Sequence, residues 1–146
     1  MAKVKGEAVI LYIKDLDNTE VPIGCARSIT YDISQELIET SSFQQTRYRT
    51  YIPAGITWGG SVEGLVFITK DLDSVFDMGR MYNFIDNPSI CKLRWYETDE
   101  TGVHFLQKEG EAWIESINET ASFDNMATFT INFRGTGIIL FSYGEI

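Results

Sequence analysis

The segment Ala127-Thr128-Phe129-Thr130-Ile131-Asn132-Phe133 decides the fold class. Ala127, Phe129, Ile131 and Phe133 fall on one side of an extended chain, and Thr128, Thr130 and Asn132 on the other. A period of two belongs to a strand with one buried and one wet face. Working outward, the same rhythm recurs. Cys91, Leu93 and Trp95 alternate with Lys92, Arg94 and Tyr96, and Arg27, Ile29, Tyr31 and Ile33 alternate with Ser28, Thr30 and Asp32. Ala8 to Lys14 is a short apolar run that reads as a strand buried on both faces, and Ile56 to Thr69 as a long strand. Gly59, Gly60 and Gly64 weaken that strand unless a neighbour approaches closely or the strand bends. Val103–Leu106 and Glu111–Ile117 read as a hairpin around Lys108-Glu109-Gly110, and Gly135-Thr136-Gly137 as a break before the apolar tail Ile138 to Tyr143.

Composition agrees. Ile, Val, Thr, Phe, Tyr and Trp make up more than a third of the chain, Leu and Ala only about a tenth. One convincing helix is expected, over about 71–84. Leu72, Val75, Phe76 and Tyr82 form its apolar face, Asp71 and Asp73 its first turn, Arg80 its end, and Asn87-Pro88 its stop. About residues 35–54 no clean period survives, which predicts a long functional loop. The expected architecture is a single domain over 1–146, mainly β, an antiparallel sandwich or barrel with one helix packed against it.

The chain has 146 residues, 44% of them hydrophobic, and a net charge of −9. At this length it buries a sufficient core without a metal or disulfide. The acidic balance excludes wrapping nucleic acid by phosphate neutralisation and electrostatic adhesion to anionic membranes. No stretch reaches the ~18 apolar residues of a membrane helix, and no signal-peptide pattern opens the chain, so a cytoplasmic site of synthesis is expected. Cys25 and Cys91 form no CxxC pattern and read as small core thiols. Whether they lie near each other is not legible in the sequence.

Chemistry-bearing patterns are sparse. His104 is the one histidine and reads as a strand residue without a catalytic role. Asp15 to Glu20 starts like a calcium loop but lacks the glycine and glutamate that complete one, so it reads as a turn. Gly135-Thr136-Gly137 precedes no helix and is no phosphate cradle. Asn118-Glu119-Thr120 matches a glycosylation sequon by chance. No enzyme and no cofactor or metal is implied. Trp58, Trp95, Trp113, Tyr48 and Tyr51 are imaginable as a sugar-stacking platform, though strand aromatics are more often core.

Two charge features stand out. Gln44 to Trp58 holds no acid but carries Arg47 and Arg49 beside Tyr48 and Tyr51. Between Glu97 and Glu119 lie Glu97, Asp99, Glu100, Glu109, Glu111, Glu115 and Glu119 against Lys108 alone. The bland reading of the second is a solvated hairpin face. The sharper one is a wall to which anions do not adhere.

Glu39-Thr40-Ser41-Ser42 and Tyr51-Ile52-Pro53-Ala54-Gly55-Ile56-Thr57-Trp58-Gly59-Gly60-Ser61-Val62-Glu63-Gly64 resemble the major tail (tail tube) proteins of bacteriophages. Those carry an "ETSS"-like start, a loop ending in "(Y/F)(I/L)PG" and a "W-x-x-S-x-x-G" strand. Ala54 stands here where glycine usually follows proline. Gly110-Glu111-Ala112-Trp113-Ile114 and Ala127 to Phe133 with Gly135 and Gly137 resemble the family's later "G-x-A-x-I" and "F-x-G-x-G" runs. The resemblance covers about two thirds of the chain.

It implies a structural virion protein of the tail, assembled in the host cytoplasm, whose stacked six-membered rings form a hollow tube for double-stranded DNA. Its implied partners are other copies of itself, a tape-measure protein and tail-end proteins. Glu39, Phe43, Arg47, Tyr48, Arg49, Tyr51 and Ile52 would make contacts between subunits and rings. Glu97, Asp99, Glu100, Glu109, Glu111 and Glu115 are candidates for an acidic lumen. Pro53, Trp58, Ser61, Gly64, Gly110, Ala112, Gly135 and Gly137 carry the motifs. A type VI secretion-like tube subunit and a monomeric carbohydrate-binding β-sandwich are the alternatives.

Overall fold

The structure is a computed structural model that describes residues 3–5, 9–14, 20–23, 26–40, 47–66 and 78–145. The described elements are β1 (Val9–Lys14), β2 (Glu20–Pro22), β3 (Ala26–Glu39), β4 (Tyr51–Leu65), α1 (Met78–Asp86), β5 (Cys91–Thr98), β6 (His104–Thr120) and β7 (Thr128–Glu145). The strands form one antiparallel sheet in the order β2-β1-β5-β6-β7-β4-β3.

The sheet curls on itself. Tyr31 of the end strand β3 meets Trp95 of β5 edge-on at 5.3 Å between ring centroids, and Trp58 of β4 meets the same indole at 6.0 Å. The strip that predicted the strand class lies inside: Phe129, Ile131 and Phe133 are buried, opposite Gly64, Val62 and Gly60 of β4. Leu11 and Ile13 of β1 and Leu93 and Trp95 of β5 close the core from the other side. Fully burying one such side chain contributes about 1.5–3 kcal/mol. Met81 and Phe84, three apart on α1, turn inward, and Tyr82 donates a hydrogen bond to Glu119 of β6 at 2.9 Å. The mainly-β sandwich or barrel with one packed helix therefore stands.

Several boundaries differ from expectation. Both described ends of the predicted loop over 35–54 belong to strands: β3 runs on to Glu39 and β4 starts at Tyr51, and Leu37 pairs with Pro53, Ile38 with Ile52 and Glu39 with Tyr51. A register shift between Gln35 and Leu37 breaks the parity, which hid the strands from a period-two reading. There is no hairpin at Lys108-Glu109-Gly110, because β6 runs straight through, and the two extra residues Gly137 and Ile138 bulge β7 without ending it. β1 is buried on one face only, since Ile10 is exposed while Leu11 and Ile13 are not. The short β2 was not anticipated.

The described helix covers Met78–Asp86 and has no basic residue in its last turn, so Arg80 does not stand at its end. Asp71, Asp73, Leu72, Val75 and Phe76 lie outside the described residues, as do Phe43, Cys25 and the turn at 15–19. The stop is as read, with Asn87 N–H still reaching Asn83 O at 3.0 Å before Pro88. Cys91 is buried, its thiol pushed up to about 12 by desolvation.

Candidate assembly surface

β4 and β7 pair only over Gly59–Leu65 and Thr128–Arg134. Beyond that contact the sheet forks into two arms. One is the β3–β4 ribbon through Ser34–Glu39 and Tyr51–Thr57. The other is the far half of the β6–β7 pair, which continues to His104 opposite Glu145. Among the described strands, neither β7 after Arg134 nor β4 before Gly59 has a partner along the fork.

Trp58 sits at the branch point, 5% exposed. Its indole lies flat on two glycines of the opposite arm. A Cβ at Gly110 would fall 2.5 Å from the ring and one at Gly135 2.1 Å, so only glycine admits it at either place. The indole N–H donates to Gly137 O at 3.1 Å. Gly137 has φ +76°, open to glycine at low cost. It belongs to the bulge between the pairs Glu111–Thr136 and Gly110–Ile139, where β7 carries two extra residues. Ala112, fully buried beside Gly135, accepts the Cys91 S–H at 3.1 Å. Four motif positions from distant segments, Trp58, Gly110, Gly135 and Gly137, thus meet at one ring. Ser61 pairs with Asn132 on the uncovered face, and Gly64 packs opposite Phe129.

The ribbon has no core beneath it. Ile33 at its base and Leu37, Ile38, Tyr51, Ile52 and Ile56 along it are each about half exposed. Hydroxyl pairs at 2.8 Å, Ser34–Thr57 and Thr40–Thr50, tie it across. Arg49 reaches Glu39 at 3.5 Å in an exposed ion pair of small energetic weight. Arg47 and Tyr48 stand exposed near the tip. Pro53 lies in β4 opposite Leu37, on a strand with an open edge where a missing N–H is tolerated. An isolated two-stranded ribbon is at best marginally stable in water. On the second arm Ile138, Leu140, Phe141 and Tyr143 are exposed. Leu37, Ile38 and Ile56 were not singled out from sequence. The available signal was apolar residues at both parities, which a strand with one wet face does not show.

The six candidate lumen acids do not share one wall. Glu109, Glu111 and Glu115 fall on alternate positions of β6 away from the core. Glu115 pairs with Arg134 at 3.0 Å, and Gln107 donates to Glu109. Glu97 is on the core side, bound to Lys108 at 2.7 Å with both side chains mostly covered. The Lys108 ammonium also lies 4.4 Å from the Tyr31 ring centroid. Asp99 and Glu100 sit in the turn between β5 and β6. The Thr101 hydroxyl, then His104 and the Val103 and His104 amides, hold the Asp99 carboxyl down at about 2. At the fork the uncovered face forms an open polar groove of about 620 Å³ that includes Asp32, Ser34, Ser61, Glu115, Asn132 and Arg134.

Trp58 and Trp95 are core residues, so the sugar platform is not assembled. Among the described residues no cluster of His, Cys, Asp and Glu has a metal-binding arrangement. No described helix is long and apolar enough to cross a membrane.

Comparison with solved structures matches this architecture to a chain in the tail of an empty gene transfer agent particle, refined with helical and C6 symmetry. The TM-score is 0.75 at 16% identity, over 94% of this chain and 98% of that one. The chain has the tail tube fold. A subunit of the SPP1 tail tube superposes with a TM-score of 0.73 at 14% identity, over 94% of this chain and 78% of that one. A chain in the six-fold symmetrised baseplate of the anti-feeding prophage gives 0.66 at 8% identity, over 92% and 91%. No family model matches the sequence, and no curated protein shows significant similarity to it. At these identities the tail tube fold is recognised through its backbone.

Proposed function

We propose that this chain is a structural virion protein that assembles into stacked, six-membered rings forming the hollow tail tube for double-stranded DNA. Its partners are other copies of itself, with a tape-measure protein and tail-end proteins at the tube's limits, and it acts in the virion tail without catalysis. The observation that carries this reading is the fork, two arms with open edges and exposed apolar side chains on the tail tube fold. Such edges are a liability in a monomer and a contact in a ring. A head-to-tail contact that does not close on itself also builds filaments, which suits stacking.

The magnitudes favour a ring over a simple pair. Covering the exposed halves of six ribbon side chains is worth about 6 kcal/mol gross. Association costs about 4–15 kcal/mol in lost freedom and ordering. One ribbon contact is therefore weak alone, while a closed ring makes two contacts per subunit. The ribbon residues Glu39, Tyr51 and Ile52, with Arg47, Tyr48 and Arg49 at the tip and Phe43 beyond the described residues, are assigned to contacts between copies. Glu109, Glu111 and Glu115 are assigned to the lumen together with Asp99 and Glu100 at the turn, and Glu97 supports that wall from behind through Lys108.

Negative-stain electron microscopy with a parallel mass measurement tests the reading. Rings or tubes of uniform width are expected from the wild-type chain. Ile52→Asp and Ile56→Asp should give folded monomers. A wild-type protein that stays monomeric at high concentration, with or without preformed tube ends as seeds, would remove the proposal.

A further inference from the structure

We propose that His104 is a proton-operated latch on the C-terminal end of β7, closed onto Glu145 by the imidazolium and opened when the ring is neutral. His104 is the first residue of β6 and pairs in the ladder with Glu145. Its Nδ1 lies 3.0 Å from Asp99 Oδ2 and its Nε2 3.4 Å from Glu145 Oε1. The Thr101 hydroxyl donates to the Asp99 carboxylate at 2.6 Å, and the Val103 and His104 amides add bonds of 3.3 and 3.4 Å. The Asp99 side chain is 11% exposed, and its carboxyl stays ionised down to about pH 2.

That fixed anion sets the tautomer. The neutral ring keeps its proton on Nδ1, facing Asp99, and turns the Nε2 lone pair towards a second carboxylate. Lone pair and carboxylate repel. One added proton converts the contact into a charge-assisted hydrogen bond. The charged groups in contact with the ring are Asp99 of the turn and Glu145 of β7; next along the turn is Glu100, whose backbone N–H donates to the Lys3 carbonyl at 2.8 Å. From β5 and β7 the neighbours Thr98 and Gly144 bring no charge.

The latch closes the outer end of the arm that carries Leu140, Phe141 and Tyr143. On the reading that this arm is an assembly edge, protonation of the ring firms the edge and favours growth of tubes. Hydrogen–deuterium exchange over residues 140–145 of the full chain, corrected for intrinsic rates, tests the latch below the assembly concentration. Protection should be about two- to fivefold higher near pH 5.5 than near pH 8, the range of an exposed ion pair.

His104→Gln should flatten that dependence. Glu145→Gln should flatten it too, because the amide donates to the neutral Nε2 and latches at both pH values. A flat wild-type response, or a Glu145→Gln response equal to the wild type, overturns the proposal. Electron microscopy at the same two pH values reads assembly separately. A responsive segment with tubes at neither pH would sink the tube reading and leave the latch standing.

Discussion

Gly135→Ala should be far more damaging than an alanine in a strand ordinarily is. The added Cβ would stand 2.1 Å from Trp58 Cε2, 2.2 Å from Cδ2 and 2.6 Å from Nε1. These atoms belong to a rigid bicycle and cannot swing aside like the end of a long side chain. The indole has nowhere to retreat, with Gly110 beneath its far ring, Trp95 edge-on beside it and its N–H tied to Gly137 O. Either β7 shifts or the indole leaves its slot. Ejecting a buried tryptophan is equivalent to losing its packing, about 3–5 kcal/mol. At about 2.1 cal/mol/K per residue, unfolding 146 residues carries an entropy near 0.3 kcal/mol/K, so Tm should fall by about 10–16 °C.

The assay is urea and thermal unfolding followed by far-ultraviolet circular dichroism on the Ile52→Asp monomer, so that assembly does not add to the signal. The cycle is completed with Trp58→Leu, which removes the atoms that clash. Trp58→Leu is itself destabilising, but Gly135→Ala added to it should cost less than about 1 kcal/mol, a coupling of 2 kcal/mol or more. If the two losses simply add within about 0.5 kcal/mol, the two residues are not in contact and the account of the branch point fails.

Asp99→Asn should weaken the turn between β5 and β6 at neutral pH and have no effect in strong acid. The folded carboxyl is held at about 2, below the ordinary 3.8, so its contribution is present above about pH 4 and disappears as pH falls towards 2. Stability curves of the two proteins should converge there, and a constant gap down to pH 2 would refute the assignment. Lys108→Met should cost about 2 kcal/mol by leaving Glu97 covered and unpaired, and adding Glu97→Gln should recover most of that in denaturant titrations. In a Cys25→Ser background, Cys91 should resist a thiol reagent until the chain unfolds, because its buried thiolate is inaccessible at neutral pH.

Strands with a core beneath them were readable from sequence. Phe129, Ile131 and Phe133, or Leu93 and Trp95, alternate because each second side chain is buried and the others are wet. Strands without a core were not. Leu37 and Ile38 are consecutive and both exposed, so no period marks the ribbon as β, and the register shift after Gln35 removes what parity remained. The glycines of β6 and β7 misled for a different reason. Gly110 and Gly135 were read as turn residues, yet they lie inside strands because an indole from β4 occupies the space above them. A glycine reports that room is required, and the sequence does not say whether a turn or a neighbour requires it. The acidic segment was visible as charge, but alternation along β6 and the pairing of Glu97 with Lys108 divide it between two faces.

The positions that carried the family resemblance acquire a physical reason in this geometry. Trp58 and Gly137 are 79 residues apart and joined by one hydrogen bond, while Gly110 and Gly135 supply the floor on which the indole rests. A larger residue at either glycine or a smaller one at Trp58 leaves a clash or a hole at the point where the sheet divides. The ribbon obeys a different rule. Its apolar side chains gain nothing from this chain's own core, and local and global preferences conflict there unless a second copy covers them. The branch point belongs to the fold of the monomer and the ribbon to the assembly. Substitutions at Trp58, Gly110 and Gly135 should therefore lower Tm before any tube forms, whereas those at Leu37, Ile52 and Ile56 should leave the monomer's Tm within about 1 °C and abolish the tube.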